Sequence, residues 1–334
     1  MIGKDINAMT RHSSGTAVSS RLYDIITFGD LCIDLVMSGG DVVPEFGQVE
    51  KLVGDYLVEM GGSCSIFACQ AARLGMRVAI LGRVGADIFG ELIIDRMRQA
   101  GVDTRYVIVD PAYKTGLGIA LNQGNDRAIL TYLGALNAVD LSDIPEGFLA
   151  SARHLHHGSY YLHTRLRPHI PAIFRQARDL GLTISLDTNW DPENQWGTEI
   201  QELLTQVDVF FPNEREALRI TRADDIVEAG RRLREAGIPI TALKCGEQGA
   251  QVLTALEQHA CRLEPAPPGG DGIGAGDSFD AGFLSAWLKE LPLETCLQVG
   301  CLCGRGVASR PGGVLGQPDW GAIETQISKG SLQP

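Results

Sequence analysis

Apolar runs and helical repeats alternate along most of the chain. The run YDIITFGDLCIDLV, residues 23–36, is broken only by Gly29 and Asp30, and it predicts a buried first strand of a parallel sheet. The following segment, SIFACQAARLGM, has helical periodicity and a glycine cap at Gly75. Further strands are predicted at 77–85, 183–189, 207–213 and 240–246, and further helices at 89–102 and 226–238. This alternation predicts right-handed crossovers and a three-layer α/β/α sandwich with a mostly parallel central sheet.

Two stretches depart from the alternation. Residues 47–62 and 114–134 have the pattern of antiparallel strands, and the second contains NQGND, a hairpin-turn sequence. We expect a small β-sheet lid, contributed by about 37–62 and 112–134, on one α/β domain spanning 21–328. Residues 1–20 are polar and small, which predicts a disordered tail.

Composition excludes several classes of partner. The formal net charge of the 334 residues is -12, whereas binding a nucleic acid needs a basic stripe. The sequence has no apolar run long enough for a membrane span and no secretory signal pattern. The eight cysteines lack the spacing of a zinc site or a disulfide framework, so we expect free core thiols and a cytoplasmic protein.

The chemistry is concentrated in GGDGIGAGDSFDAGF, residues 269–283. Apolar residues recur at helical spacing after Asp277, so a helix begins directly after the glycines. Unpaired amides and a positive dipole end make such a junction an anion-binding site, which glycines leave open to a close ligand. Asp277 could simply be a favoured first-turn residue, but that interpretation leaves the glycines and Asp271 unexplained. A carboxylate beside an anion hole can instead accept a proton from a hydroxyl that attacks a phosphoryl group.

Two other phosphate-binding loops are excluded. The pattern GxxxxGK[ST] is absent, and no GxGxxG lies between the first strand and the first helix. The late glycine-rich segment instead resembles the D-T-x-G-A-G-D signature of the PfkB family of carbohydrate kinases, which have the ribokinase-like fold. Four more motifs follow the family order: GGSCSIFACQAARLG at 61–75, LGRVGADIFG at 81–90, NEREA at 213–217 and KCGEQG at 244–249.

The resemblance implies a function and a set of site residues. It implies ATP-dependent phosphorylation of a small carbohydrate hydroxyl, with Mg²⁺ and with K⁺ as a further candidate ion. Asp277 would be the catalytic base, with anion-hole amides from Gly274, Ala275 and Gly276. The acceptor sugar would contact Asp34, Gly61, Gly62 and Asn189. The nucleotide would be bound by Asn213, Glu216, Lys244, Gly246 and Gly249. The metal positions would be Glu216, through water to Mg²⁺, with Asp271 and the carbonyl of Ile273 at a monovalent cation.

The sequence departs from the family pattern at three positions, and the second and third bear on the acceptor. Gly272 replaces the signature threonine, and Ile66 replaces an asparagine that often contacts sugar. Relatives that phosphorylate keto-deoxy sugar acids tend to have D-P-N-x-R, but here Asp191 occupies the arginine position. The Asp191 carboxylate would repel a sugar-acid substrate unless Arg165 or Arg167 paired with the substrate carboxylate. A neutral sugar such as fructose or ribose is therefore favoured.

The alternatives are a nucleoside kinase, a 2-keto-3-deoxygluconate kinase, and a non-catalytic sugar-binding regulator on the same fold. Exposed strand edges of the lid also predict a homodimer.

Overall fold

The chain forms one large and one small β-sheet in a computed structural model, which describes residues 21–123, 126–267 and 269–328. The predicted tail, residues 1–20, lies outside the described residues. The large sheet has nine strands in the order β13-β12-β11-β10-β9-β8-β1-β4-β5. Its strands are β1 (Tyr23–Phe28), β4 (Val78–Gly85), β5 (Asp103–Asp110), β8 (Ala152–His157), β9 (Thr183–Leu186), β10 (Val209–Phe210), β11 (Ile240–Lys244), β12 (Ala250–Leu253) and β13 (Gln258–Cys261). Neighbouring strands are parallel except at the β11–β12–β13 edge, so the predicted mostly parallel sheet is confirmed.

Helices cover both faces of this sheet. They are α1 (Ser63–Arg73), α2 (Ile88–Ala100), α3 (Ile170–Asp179), α4 (Glu199–Leu204), α5 (Glu214–Thr221), α6 (Ile226–Glu235), α7 (Ala275–Leu288), α8 (Leu293–Ala308) and α9 (Trp320–Ser328). Two separate apolar cores result, because successive strand residues point to opposite faces. Ile25 of β1 lies in the core with α1, α7 and α8, whereas Ile26 lies in the core with α3 to α6. This is the three-layer arrangement that the sequence predicts.

The first apolar run is two strands rather than one, which corrects the prediction for residues 23–36. β1 ends at Phe28, and β2 (Cys32–Gly40) belongs to the small sheet. The break has a physical cause at Asp30. Its carboxylate accepts hydrogen bonds from the backbone amides of Ser63 and Cys64, at 2.8 and 3.0 Å, and so fixes the start of α1. Hydrophobicity could not reveal the change of sheet, since both strands are apolar.

The small sheet forms the lid. Its order is β3-β2-β6-β7, with β3 (Val53–Gly61), β6 (Gly116–Gln123) and β7 (Asp126–Tyr132). β2 pairs antiparallel with β3 but parallel with β6, and β6 and β7 pair antiparallel as predicted. The centre of the predicted turn, residues 124–125, lies outside the described residues. The inner face packs Val36 and Ala120 against Ile273, which lies in the glycine-rich segment. The lid therefore covers the segment that sequence analysis identifies as the chemical centre.

Within the described ranges no helix is long and apolar enough to cross a membrane. All eight cysteines are buried and free.

Close contact between α7 and α8 holds the glycine-rich helix in place. A Cβ atom built on Gly282 of α7 would lie 2.8 Å from the Cys303 sulfur, and one on Gly300 of α8 would lie 2.9 Å from the Phe279 ring. Such separations are shorter than van der Waals contact. Glycine at these positions therefore lets the two helix backbones approach.

We predict that Gly300→Ala destabilises the fold by about 1–3 kcal/mol, because the added methyl overpacks the α7–α8 interface. Thermal unfolding of Gly300→Ala measures this. Gly321→Ala is the matched control, since its Cβ would meet nothing closer than the Asp319 carboxylate at 3.6 Å. Equal melting temperatures for the two variants would contradict the tight-packing interpretation.

Candidate active site

The glycine-rich segment ends at the N-terminus of α7, at the carboxyl edge of the large sheet. Gly274 is the N-cap, with φ 71°, a left-handed conformation that favours glycine. Gly272 is also left-handed, with φ 68°, which a threonine at this position would rarely adopt. The Ala275 amide approaches the Gly272 carbonyl at 3.4 Å. The amides of Gly276 and Asp277 follow in the first turn, where a helix has no internal acceptors. They are the donors best placed for an anion.

Asp277 is the third residue of α7 and is partly buried. Burial, together with repulsion from the Asp187 carboxylate, raises the pKa of Asp277 to about 7. The positive charge of Lys244 and a hydrogen bond with the Ser63 side chain act in the opposite direction. A carboxyl group with this pKa can accept a proton near neutral pH and is a stronger base than an exposed aspartate.

A chain of hydrogen bonds leads away from this base. The Asn189 side-chain amide donates to the hydroxyls of Ser63 and Ser159, at 2.5 and 2.8 Å, and Ser159 donates to Asp30 at 2.9 Å. Asn189 has φ 54°, and its backbone amide donates to Asp187 at 3.0 Å. Asn189, predicted to contact the sugar, thus also connects three loops at the strand ends.

Lys244 lies in a buried cluster of charges. Its ammonium donates to Asp187 at 2.6 Å and to Asp280, one helical turn beyond Asp277, at 3.2 Å. Burial alone would lower the pKa of Lys244, but the two carboxylates raise it above its usual value. The predicted nucleotide-loop residue is therefore directed towards α7.

The acceptor end of the site is formed by the lid and α1. Asp34 lies on the inner face of β2, and its carboxylate occupies the space that a side chain on Gly61 would need. Gly62 has φ 90° and is the N-cap of α1. Burial and the negative charge of Asp277 raise the pKa of Asp34 to about 7. The structure thus brings Asp34, Gly61 and Gly62 together near Asp277.

Asn213 and Glu216 form a reciprocal cap at the start of α5. The Asn213 side chain accepts from the Glu216 amide at 2.9 Å, while the Glu216 carboxylate accepts from the Asn213 backbone and side chain at 2.9 and 2.6 Å. Burial and repulsion from Asp187 raise the pKa of Glu216 to about 7. A divalent cation would relieve this accumulation of negative charge, so the residues fit Mg²⁺ chemically.

The predicted nucleotide loop follows β11. Gly246 and Gly249 have φ 56° and 91°, and the Cys245 amide donates to the Gly249 carbonyl at 2.9 Å. A side chain on Gly249 would collide with the Cys261 carbonyl. These glycines therefore make a tight turn beside Lys244.

Asp271 joins two loops through its carboxylate. One oxygen accepts from the Ile273 amide and the other from the Gly312 amide, each at 3.0 Å. The Asp271 carbonyl accepts from the Arg127 guanidinium of β7 at 3.2 Å. The lid and the glycine-rich segment are thus in direct polar contact.

Three residues that bear on the predicted acceptor, Asp191, Arg165 and Ile66, make other contacts in the structure. The buried Asp191 carboxylate accepts from the backbone amides of its own loop, at Glu193, Gln195 and Trp196. It does not stand as an unpaired anion, so the repulsion argument loses its basis. Arg165 is directed at Asp140, at 3.5 Å. Ile66 packs beneath the glycine-rich segment, against Gly274 and Gly313.

Sequence reasoning missed Ser63, Ser159, Asp30 and Asp280. Only Asp280 had a detectable signal, because it is a charged residue on the otherwise apolar helix α7.

A mostly parallel sheet with a β-lid over a glycine-rich helix start is the architecture of ribokinase-like kinases. The chain belongs to the pfkB family of carbohydrate kinases, which it matches over residues 23–320. It is accordingly a carbohydrate kinase.

Named relatives act on several kinds of acceptor. The chain is 31% identical to an ATP-dependent ribose-1-phosphate kinase of Halopiger xanaduensis, over 75% of this chain and 81% of the relative. It is 26% identical to a 2-dehydro-3-deoxygluconokinase of Bacillus subtilis, over 88% and 92%. A crystal structure of an E. coli protein provisionally named ribokinase II, in complex with ATP and Mg²⁺, superposes with a TM-score of 0.79 at 25% identity, covering 92% of this chain and all of that one (100%).

We predict that kcat/KM rises with pH through about 7 and then reaches a plateau. Asp277 accepts a proton only when ionised, and its pKa is about 7, so protonation at lower pH removes the base. Initial rates between pH 5.5 and 9 measure this. A rate that is constant down to pH 5.5 would show that no group with this pKa is needed.

Proposed function

We propose that the protein transfers the γ-phosphoryl group of ATP to a hydroxyl of a small neutral sugar, with Asp277 as general base. The observation that carries the proposal is the raised pKa of a carboxyl group in the first turn of α7, beside amides suited to an anion. Asp34 approaches the same point from the lid and would accept hydrogen bonds from sugar hydroxyls. Closure of the lid would exclude water, a competing phosphoryl acceptor.

The charge of the acceptor end supports a neutral sugar such as fructose or ribose. Burial is the main cause of the raised pKa of the Cys32 thiol, and Asp34, Asp30 and Asp277 lie close enough for their charges to raise it further. An acidic acceptor would meet this negative field and would require a compensating cation.

Arg127 supports an acidic acceptor as the second candidate. Its guanidinium reaches the Asp271 carbonyl, and its charge lowers the pKa of Asp34, against the larger effects of burial and Asp277. A cation on the lid at this point could pair with a carboxylate or phosphate of the acceptor.

Mg²⁺ would be held by Glu216 and Asn213, mainly through water and phosphate oxygens. Among the described residues, no group of three or more His, Cys, Asp and Glu is placed to hold a metal ion directly. Bound Mg²⁺ would neutralise charge on the phosphates during transfer. The carboxylate of Asp271 and the carbonyl of Ile273 would form the site for a monovalent cation such as K⁺.

Asp277→Asn tests the proposal. The change keeps the volume but removes the proton acceptor, so we expect turnover to fall by roughly 10²–10⁴ with little change in ATP affinity. ADP release is measured with ATP, Mg²⁺ and fructose, ribose, adenosine, 2-keto-3-deoxygluconate or ribose 1-phosphate. Asp95→Asn is the control, since Asp95 is 67% exposed on α2. Near-normal turnover of Asp277→Asn would show that Asp277 acts only as a helix-capping residue. A more than tenfold preference for an acidic substrate would favour the alternative in which Arg127 pairs with the acceptor.

We also propose a homodimer formed through the outer faces of two lids. Register places Met37 opposite Tyr56, Ile119 opposite Leu130 and Leu117 opposite Tyr132, all on the face turned away from Asp34. Tyr56, Leu130 and Tyr132 are exposed. An apolar sheet face of this extent is typical of an association surface.

Light scattering at micromolar concentration is expected to give twice the 36.0 kDa chain mass. Leu130→Lys would place a charge on the outer face and give monomers. Leu256→Lys, on a residue that is 97% exposed far from the lid in sequence, would leave the mass unchanged. A monomeric unmodified protein would refute the dimer.

A further inference from the structure

We propose that Lys244 is a catalytic residue that contacts the phosphoryl group in transit, and that Asp187 and Asp280 position its ammonium. This inference rests on the proposed kinase function and assigns a role to three residues that meet at its centre.

The first support is the position of the ammonium. A Cβ atom built on Gly276 would lie 3.6 Å from the Lys244 Nζ atom, so the cation lies beside the first-turn amides of α7. Because Gly276 has no side chain, it places no atom between the Lys244 ammonium and an anion bound at those amides. A cation and backbone amides converging on one point suit the equatorial oxygens of a transferring phosphoryl group.

The second support is how tightly the ammonium is held. Asp187 extends from the end of β9, Lys244 from the end of β11 and Asp280 from α7. The side chains of Asp187 and Asp280 are 3% and 1% exposed, and that of Lys244 is 13% exposed. A lysine side chain normally samples many rotamers, whereas two buried carboxylates restrict this one to a single direction.

The third support is the charge balance. Two ionised carboxylates and one ammonium would leave a net negative charge in the interior, which is costly. Burial raises the pKa of Asp280 well above its usual value, and a hydrogen bond with Asp187 acts in the same direction. These effects favour the protonated form of Asp280, which would donate to Asp187 and leave Asp187 as the charge that pairs with Lys244.

Lys244 supplies charge in this step and exchanges no proton. The acceptor oxygen forms a bond to the γ-phosphorus, and its proton passes to Asp277. The bond from the γ-phosphorus to the bridging oxygen breaks, and its electron pair leaves with ADP. The negative charge on the equatorial oxygens faces the ammonium throughout.

Lys244→Met tests the role of the ammonium. We expect kcat to fall roughly 10²–10³-fold, the usual effect of removing one stabilising group from a transition state. The affinity for ADP, which lacks the γ-phosphoryl group, should change less than threefold. The affinity for a β,γ-imido analogue of ATP should fall at least tenfold. Lys289→Met is the control, because Lys289 is exposed just after the end of α7 and its ammonium lies over the Trp320 ring at 4.8 Å.

A second variant keeps the test valid if Lys244→Met does not fold. Lys244→Met combined with Asp187→Asn removes both charges and leaves no ionised carboxylate without its partner. It should fold and show the same loss of kcat. Melting temperatures show which of the two variants is interpretable.

Asp280 is tested by a conservative and a disruptive change. Asp280→Asn mimics the neutral acid and can still donate to Asp187, so kcat should stay within about threefold of the unmodified enzyme. Asp280→Leu removes the donor, and kcat should fall more than tenfold with ADP affinity unchanged. A purely structural role would instead lower the melting temperature of Asp280→Leu without separating kcat from ADP affinity.

The proposal is overturned if a folded Lys244→Met variant keeps its kcat, or if its affinities for ADP and the imido analogue change equally. The affinity measurements with ADP and the imido analogue distinguish a failure of the Lys244 proposal from a failure of the proposed kinase function. If the unmodified protein phosphorylates no acceptor, the proposed function fails. Selective loss of the imido analogue in Lys244→Met would then still support the contact, and its retention would refute it.

Discussion

The pairing of the Lys244 ammonium with Asp187 and Asp280 is the interaction on which the rest of the site depends. It joins the ends of two parallel strands to the first turns of α7. Each partner is an ionisable side chain in a mainly apolar setting, so none of the three could be buried alone in its charged form without a large desolvation cost. These ion pairs fix α7 against the sheet, and the glycine contacts fix it against α8. Together they determine the position of Asp277.

Negative charge is concentrated around this pairing. Several nearby carboxyl groups therefore have raised pKa values. Asp277, Asp34 and Glu216 each have a pKa of about 7, with burial as the largest cause. A cation bound among these carboxylates would reduce the local negative potential and so lower their pKa values. The pKa of Asp277 therefore depends on several elements of the fold rather than on one neighbour.

Much of the architecture could be predicted from the sequence, and the failures are instructive. The alternating pattern predicts the parallel body, and the pattern of residues 114–134 predicts the antiparallel pairing of β6 and β7. The run 23–36 predicts one strand, although Asp30 redirects the chain into the lid. A hydrophobic pattern reports that a strand is buried, but it does not report which sheet buries it. The prediction that Asp191 would repel an acidic acceptor lost its basis for a related reason. The sequence alone does not distinguish a carboxylate that pairs with the amides of its own loop from one that faces a ligand.

The sequence by itself determined the fold class, the family and the glycine-rich junction before α7. These follow from local periodicity and from residues adjacent along the chain, which need no distant partner. Only the tertiary structure decided that Ser63, Asn189, Lys244 and Asp280 meet around Asp277. Parallel strands separated by long crossovers bring their carboxyl ends to one edge, so residues more than two hundred positions apart come into contact there. Contacts between these distant side chains depend on the fold bringing the strand ends together. They cannot be inferred from any single segment of the sequence.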